Sequence, residues 1–155
     1  MSGIQFNPST ELVKQRDFLV YLRENATGND GTYTEIGECV KDSVSIKSED
    51  GAEVELNKSG TKILSKNCSI AFNIASLSVP NITALTALDG TTIDVCLKSL
   101  EATPMYIEAK SIIFNYNEDI TSGGVNILPI VINKEVENVA NFRGITTAAP
   151  DGMPT

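Results

Sequence analysis

Apolar and polar residues alternate along most of the chain with a period of two, which is typical of β-strands that bury one face. The longest alternating run extends over residues 67–74, and a second one extends over residues 92–98. Their apolar positions are predicted to lie in the domain core or in a contact between subunits, and the sequence leaves both readings open. These candidate core or interface residues are Cys68, Ile70, Phe72, Ile74, Ile93 and Val95.

Further apolar runs interrupted by turn residues indicate about seven to nine short strands at intervals of roughly ten residues. They include residues 18–23, 105–117 and 125–134, and residues 137–142 form a candidate last strand. A helical spacing occurs only in the segment Asn81–Leu88, which Asp89 and Gly90 would end. The pattern predicts an all-β, mainly antiparallel sandwich or barrel with one short flanking helix.

A hairpin is the strongest local prediction. Val44 and Ile46 alternate with polar residues before Glu49-Asp50-Gly51, and Val54 and Leu56 resume the alternation after it. Two alternating runs joined by a short Asp-Gly segment are typical of a β-hairpin. We therefore expect the chain to reverse at Gly51.

The 155 residues fit one domain. We expect an N-terminal arm at residues 1–17, a β-domain at residues 18–144 and a flexible tail at residues 145–155, because the tail is rich in small and turn-forming residues. No run approaches the roughly 18 apolar residues of a membrane helix, and no signal peptide is evident at the start. We expect a protein that does not enter a membrane.

Composition narrows the function classes. The chain has 12 basic and 20 acidic residues, a formal charge of −8, which argues against a protein that grips nucleic acid. It has no histidine, so histidine-based catalysis and histidine metal ligands are excluded. Three widely spaced cysteines fit neither a disulfide framework nor a zinc site. We predict no catalytic residues, no cofactor and no metal, and hence no enzyme.

Glu53 and Glu55 are the carboxylate pair with the clearest shared face, since side chains two apart on a strand point the same way. A carboxylate pair is the equipment of a glycosidase. Here the pair alternates with Val54 and Leu56, which is the pattern of a solvated strand face. We favour the solvated face over catalysis.

The order of these elements resembles that of bacteriophage tail tube proteins and the related tubes of contractile injection systems. The resemblance covers residues 17–144: an early strand, the segment DSVSIKSEDGAEVELNKSG, a long alternating strand, the helix around ITALTAL, an Asp-Gly turn and the strand TTIDVCLK. It lies in the element order, and no single motif anchors it.

The resemblance implies a structural protein of the virion tail, made in the host cytoplasm, that assembles into stacked hexameric rings and contacts other tail proteins. DNA would pass through the resulting tube without specific binding, because an acidic wall repels it. Glu53 and Glu55 are then candidate lumen-facing residues, with an ordinary outer surface as the other reading. The alternative function is a β-sandwich binding module, such as a capsid decoration or a protein that binds host-surface glycans.

Overall fold

A computed structural model describes residues 17–25, 31–36, 39–75, 78–123 and 127–154. Antiparallel strands dominate these residues, which confirms the predicted all-β fold. They form ten strands and two short helices: β1 (Phe18–Glu24), β2 (Thr34–Glu35), β3 (Ser45–Asp50), β4 (Glu53–Leu56), β5 (Gly60–Ile63), β6 (Lys66–Ile74), α1 (Val79–Ala87), β7 (Thr92–Ser99), β8 (Tyr106–Ile113), β9 (Leu128–Val136), α2 (Val139–Phe142) and β10 (Gly144–Thr146).

Two sheets enclose a single apolar core. The larger sheet has the order β10-β8-β7-β1-β2 and the smaller one the order β3-β6-β9. Alternation along β1, β6, β7, β8 and β9 directs every second side chain into the space between them, where the buried residues form one cluster. All six candidate core or interface residues lie in this cluster and are at most 1% exposed, so they belong to the interior of a single copy: Cys68, Ile70, Phe72, Ile74, Ile93 and Val95.

The predicted helix is present as α1. Pro80 lies in its first turn, where the missing N–H of proline costs no hydrogen bond. Leu85 is the buried residue that fixes the helix to the core. Gly90 follows the last turn with a φ of 79°, a left-handed conformation that glycine adopts without strain. The helix therefore begins and ends close to the residues that the sequence indicates.

The predicted hairpin at Gly51 is wrong. β3 pairs with β6, and β4 pairs with β5, so residues 45–74 form one long ribbon whose turn is at residues 57–59. Alternation does not reveal which strands pair, and Ile46 pairs with Ile70 of the long strand because both have apolar side chains directed at the core. Gly51 has another role: a Cβ there would lie 2.5 Å from Ser65 Oγ on the opposite side of the ribbon.

The C-terminal region differs from the prediction in two places. The candidate last strand contains the single helical turn α2, in which the Asn138 side chain accepts a hydrogen bond from the Ala140 N–H and Phe142 is buried. Ile145 and Thr146, which were expected in a flexible tail, belong to β10, and β10 pairs with β8. Further along, the Gly152 carbonyl oxygen accepts a hydrogen bond from the Tyr33 N–H. Of the predicted N-terminal arm, only Asp17 belongs to the described residues.

Candidate functional site

The two strands β4 and β5 pair only with each other among the described strands, and together they form the hairpin tip, which we define as residues 52–64. All four residues of β4 are exposed. A two-stranded hairpin with no third strand or helix against it is marginally stable in water. The tip therefore depends on its attachment to the sandwich and lacks a packed face of its own.

The attachment is a short set of contacts across the ribbon. The Gly51 N–H donates to the Ser65 carbonyl oxygen at 2.9 Å, and the Ala52 N–H donates to Ser65 Oγ at 2.9 Å. Lys66 pairs with Asp50 immediately below, between exposed side chains. Ser65 is itself buried, so the missing side chain of Gly51 makes room for a hydroxyl that holds the base of the tip.

The two faces of the hairpin tip differ in chemistry. One face presents three exposed apolar side chains with the ammonium group of Lys62 among them: Val54, Leu56 and Leu64, with exposures of 39%, 42% and 46%. We call this the apolar face of the tip. The opposite face carries Glu53 and Glu55, which pair across the ribbon with Ile63 and Thr61. The structure thus places the sequence-predicted carboxylates side by side on an exposed strand.

A cleft of about 610 Å³ separates α1 from β1 and β2. We call it the α1 cleft. Its volume lies within the roughly 300–1,000 Å³ that is usual for ligand pockets. The lining is mostly apolar and comes from both sides, with Leu22, Ile36, Ala84, Leu85 and Leu88 among its residues. Two exposed carboxylates also line it, those of Glu24 and Glu35, and α1 itself carries no charged residue.

The hairpin tip and the α1 cleft lie at opposite ends of the sandwich. The tip joins β6 at Lys66, and the chain leaves β6 at Ile74 on its way to α1. The nine residues of β6 span roughly 30 Å at about 3.3 Å per residue. One copy therefore cannot place its own tip in its own cleft.

A second region outside the core was missed by sequence reasoning. Arg23 and Asp94 face each other on β1 and β7, and Arg23 Nε donates to Asp94 Oδ2 at 2.8 Å. Both side chains are buried, with exposures of 3% and 0%. They lie on the face of the large sheet that points away from the core, which we call the outer face, next to Tyr21 and Cys96.

Neighbouring groups donate further hydrogen bonds to the Asp94 carboxylate. Asn25 donates to Asp94 Oδ1 at 2.6 Å, and the Ser111 N–H donates to the same oxygen at 3.0 Å. Ser111 has a φ of 56° at an irregularity in the β7–β8 pairing, and this left-handed conformation directs its N–H at the carboxylate. Charge-assisted hydrogen bonds of this kind compensate a buried carboxylate for its lost hydration.

The arginine side of the pair is enclosed by an aromatic ring and by the chain end. Arg23 Cζ lies 4.2 Å from the centroid of the Tyr33 ring, in cation–π contact. Tyr33 donates its hydroxyl proton to Glu108 Oε2 at 2.6 Å. Arg23 Nη1 donates to the Asp151 carbonyl oxygen at 2.8 Å, and the Tyr33 N–H donates to the Gly152 carbonyl oxygen at 2.8 Å. Residues 150–153 thus lie against Arg23 and Tyr33 on the outer face, and we call them the strap.

Burial shifts the ionisation of groups in and near these regions. Burial, and then the hydrogen bond to Glu108, raise the pKa of Tyr33 far above its ordinary value of 10.0. Burial raises the pKa of Cys96 to about 12 and the pKa of Cys39 to about 11, and it also raises the pKa of Cys68. All three thiols are therefore protonated at neutral pH, which removes the thiolate that nucleophilic chemistry needs.

The buried pair of Arg23 and Asp94 has a structural role. Its charges are bonded to each other, and the strap lies between Arg23 and solvent. Within the described part of the chain, no group of three or more histidine, cysteine, aspartate or glutamate side chains is arranged to hold a metal ion. No helix among the described residues has the length and apolar character that crossing a membrane requires.

The sequence did contain a signal for the outer face. Asp94 is a charged residue inside the apolar run TIDVCL, and Arg23 ends the apolar run FLVYLR. Neither a comparison with protein-family models nor a comparison with curated proteins finds a match for this sequence. The hairpin tip, the α1 cleft and the edges of the sheets are therefore the surfaces that bear on function.

Proposed function

We propose that this protein is a structural, self-assembling subunit of a bacteriophage tail tube, in which copies form rings that stack. The observation that carries the proposal is the hairpin tip, an extension with an exposed apolar face and no packing partner among the described residues. Burial of apolar surface stabilises a contact by about 25 cal/mol per Å². A second copy is the partner that a repetitive assembly supplies at every such face.

The two edges of the large sheet favour side-by-side association between copies. β2 and β10 are its edge strands, with two and three residues, and all five residues are exposed. Edge strands have backbone N–H and C=O groups available for pairing with another chain. Joining the edges of neighbouring copies would close a ring and satisfy these groups, as strands do in a barrel. We propose six copies in each ring because the element order resembles that of tail tube proteins, which form hexameric rings.

The charge of the chain fits a conduit for DNA. The net charge of −8 makes the surface repel phosphate, so DNA would pass without specific binding. If the apolar face of the tip contacts another copy, then Glu53 and Glu55 on its opposite face remain in solvent. We propose that these two carboxylates line the lumen. Other tail proteins would be the remaining partners, at the ends of the tube.

The proposal is tested with the purified full chain. Sedimentation velocity over a wide concentration range and negative-stain electron microscopy should show rings or tubes. Leu56→Lys introduces a charge in the apolar face and should abolish them, whereas Thr61→Lys, on the opposite face of the same tip, should not. A wild-type protein that stays a monodisperse monomer at high concentration would overturn the proposal and would favour a monomeric binding module.

A further inference from the structure

We infer that the apolar face of one copy's hairpin tip docks in the α1 cleft of a second copy. The inference rests on the proposed self-assembly and names the surface that receives the tip. Tip and cleft are different surfaces of the same chain, so the contact is head-to-tail and each copy offers one of each. The polarity of the two surfaces, their charges and their positions in the fold each favour this contact.

The apolar face of the tip and the lining of the α1 cleft are both mainly apolar. The tip offers the side chains of Val54, Leu56 and Leu64, each about two-fifths exposed. The cleft offers the exposed side chains of Ala84 and Ala87 and the half-buried Leu88, all on α1, above the buried Leu22 and Leu85. Contact between these surfaces removes both from water at once, which is the main favourable term in protein association.

Charge is complementary at the margins. Lys62 stands within the apolar face of the tip, and Lys58 lies in its turn. The cleft is lined by Glu24 and Glu35, both exposed, and by Arg23, whose buried guanidinium is already paired with Asp94. A lysine beside these carboxylates favours the docked arrangement, and complementary charges of this kind fix register and select the correct partner. The carboxylates of Glu53 and Glu55 face away from the apolar face, so they do not oppose the acidic cleft.

The positions of the tip and the cleft determine the direction in which copies would join. The tip and the cleft lie at the two ends of β6, roughly 30 Å apart along the strand. Docking therefore joins copies along the strand direction, and each docked copy presents a free tip to the next. A head-to-tail contact that does not close on itself generates an open stack. This contact is distinct from edge pairing, which joins copies side by side.

Charge reversal tests the pairing of tip and cleft. Lys62→Glu and Glu24→Lys each create a like-charge contact, and each should raise the concentration needed for assembly by about tenfold or more. The double variant restores the opposite charges and should return assembly to near the wild-type concentration. Lys47→Glu, on an exposed position of β3 outside both surfaces, is the matched control for net charge. Additive losses in the double variant would overturn the inference.

Cross-linking gives a second readout that does not depend on assembly strength. Leu56→Cys and Ala84→Cys chains are mixed and oxidised gently, and covalent dimers should form in the mixture. Thr61→Cys mixed with Ala84→Cys is the control with the thiol on the wrong face of the tip. Equal dimer yields from the two mixtures would overturn the docking.

The two proposals fail separately. If the wild-type chain never assembles, the proposed function fails and the docking fails with it. If wild-type tubes form but charge reversal and cross-linking show no preference for the α1 cleft, then only the docking is wrong. If substitutions in the cleft lower the unfolding free energy of the monomer without changing assembly, the cleft is covered by its own chain, which also overturns the docking.

Discussion

The outer face of the large sheet and the hairpin tip are both strand surfaces outside the core, but they differ in how far they are covered. On the outer face, the buried pair of Arg23 and Asp94 is also hydrogen-bonded to Asn25, Ser111 and Asp151, and the strap covers it. On the tip, exposed apolar side chains have no cover among the described residues. The ion pair is covered within one copy, whereas the apolar face of the tip is covered, by our proposal, only in an assembly.

This contrast predicts where substitutions reduce stability and where they reduce association. Removing one partner of a buried ion pair leaves an uncompensated charge, which costs several kcal/mol. Truncating an exposed apolar residue of the tip removes little packing in the monomer. The following predictions test the outer face against the tip, from the largest expected effect on the monomer to the smallest.

Asp94→Ala should lower the free energy of unfolding by about 3–5 kcal/mol, because Arg23 would stay buried without its carboxylate. Urea unfolding followed by circular dichroism measures the change. Val54→Ala on the tip is the comparison and should change the unfolding free energy by less than about 0.5 kcal/mol. Similar losses in the two variants would contradict the division between a self-contained face and an assembly face.

Gly152→Ala should cost about 1–3 kcal/mol and loosen the strap. Gly152 has a φ of 92°, and a Cβ there would lie 2.5 Å from Arg23 Nη1 and 2.8 Å from the Gly31 carbonyl oxygen. Gly123→Ala is the matched control, since its φ is 79° and no atom of the described residues lies within 4 Å of the added Cβ. Hydrogen exchange at the Tyr33 N–H reports the strap, and a larger effect at Gly123 would argue against this contact.

Alkaline pH should weaken the fold through Tyr33. Its pKa is raised in the folded state, so the stabilisation is complete below about pH 10 and is lost as the pH rises further. By pH 11 the loss from this one group should be about 1 kcal/mol. Urea unfolding of wild type and Tyr33→Phe at pH 8 and pH 11 isolates it: the variant should lose less stability over this interval. Equal losses would show that Tyr33 ionises freely in the folded protein.

The sequence was informative where one residue's neighbours along the chain decide its environment. Alternation identified Ile70 and Ile93 as buried, and the spacing around Leu85 identified α1, because both signals are local. Pairing partners are not local, so the turn was assigned to Gly51 although β3 pairs with β6. For the same reason α2 was read as a strand: its four residues are too few to show a period.

For the candidate surfaces too, local features could be predicted from the sequence and long-range contacts could not. The exposure of Glu53 and Glu55 was implied by their alternation with Val54, but the alternation did not show that the apolar face of the tip is exposed as well. A third strand or helix would be needed to bury it, and pairing cannot be read from a period of two. The buried pair of Arg23 and Asp94 depends on the strap, which comes from residues far along the chain. Composition alone suggested only a flexible tail there.

The burial of the three thiols has a practical consequence for handling the protein. Cys68 and Cys96 are enclosed, and Cys39 is half-buried with a pKa of about 11. Thiolate is the form that air and metal traces oxidise, and at neutral pH almost none of it is present on these residues. The purified protein should therefore be stable for long periods without a reductant, and a covalent dimer formed through Cys68 or Cys96 on storage would be a sign of unfolding.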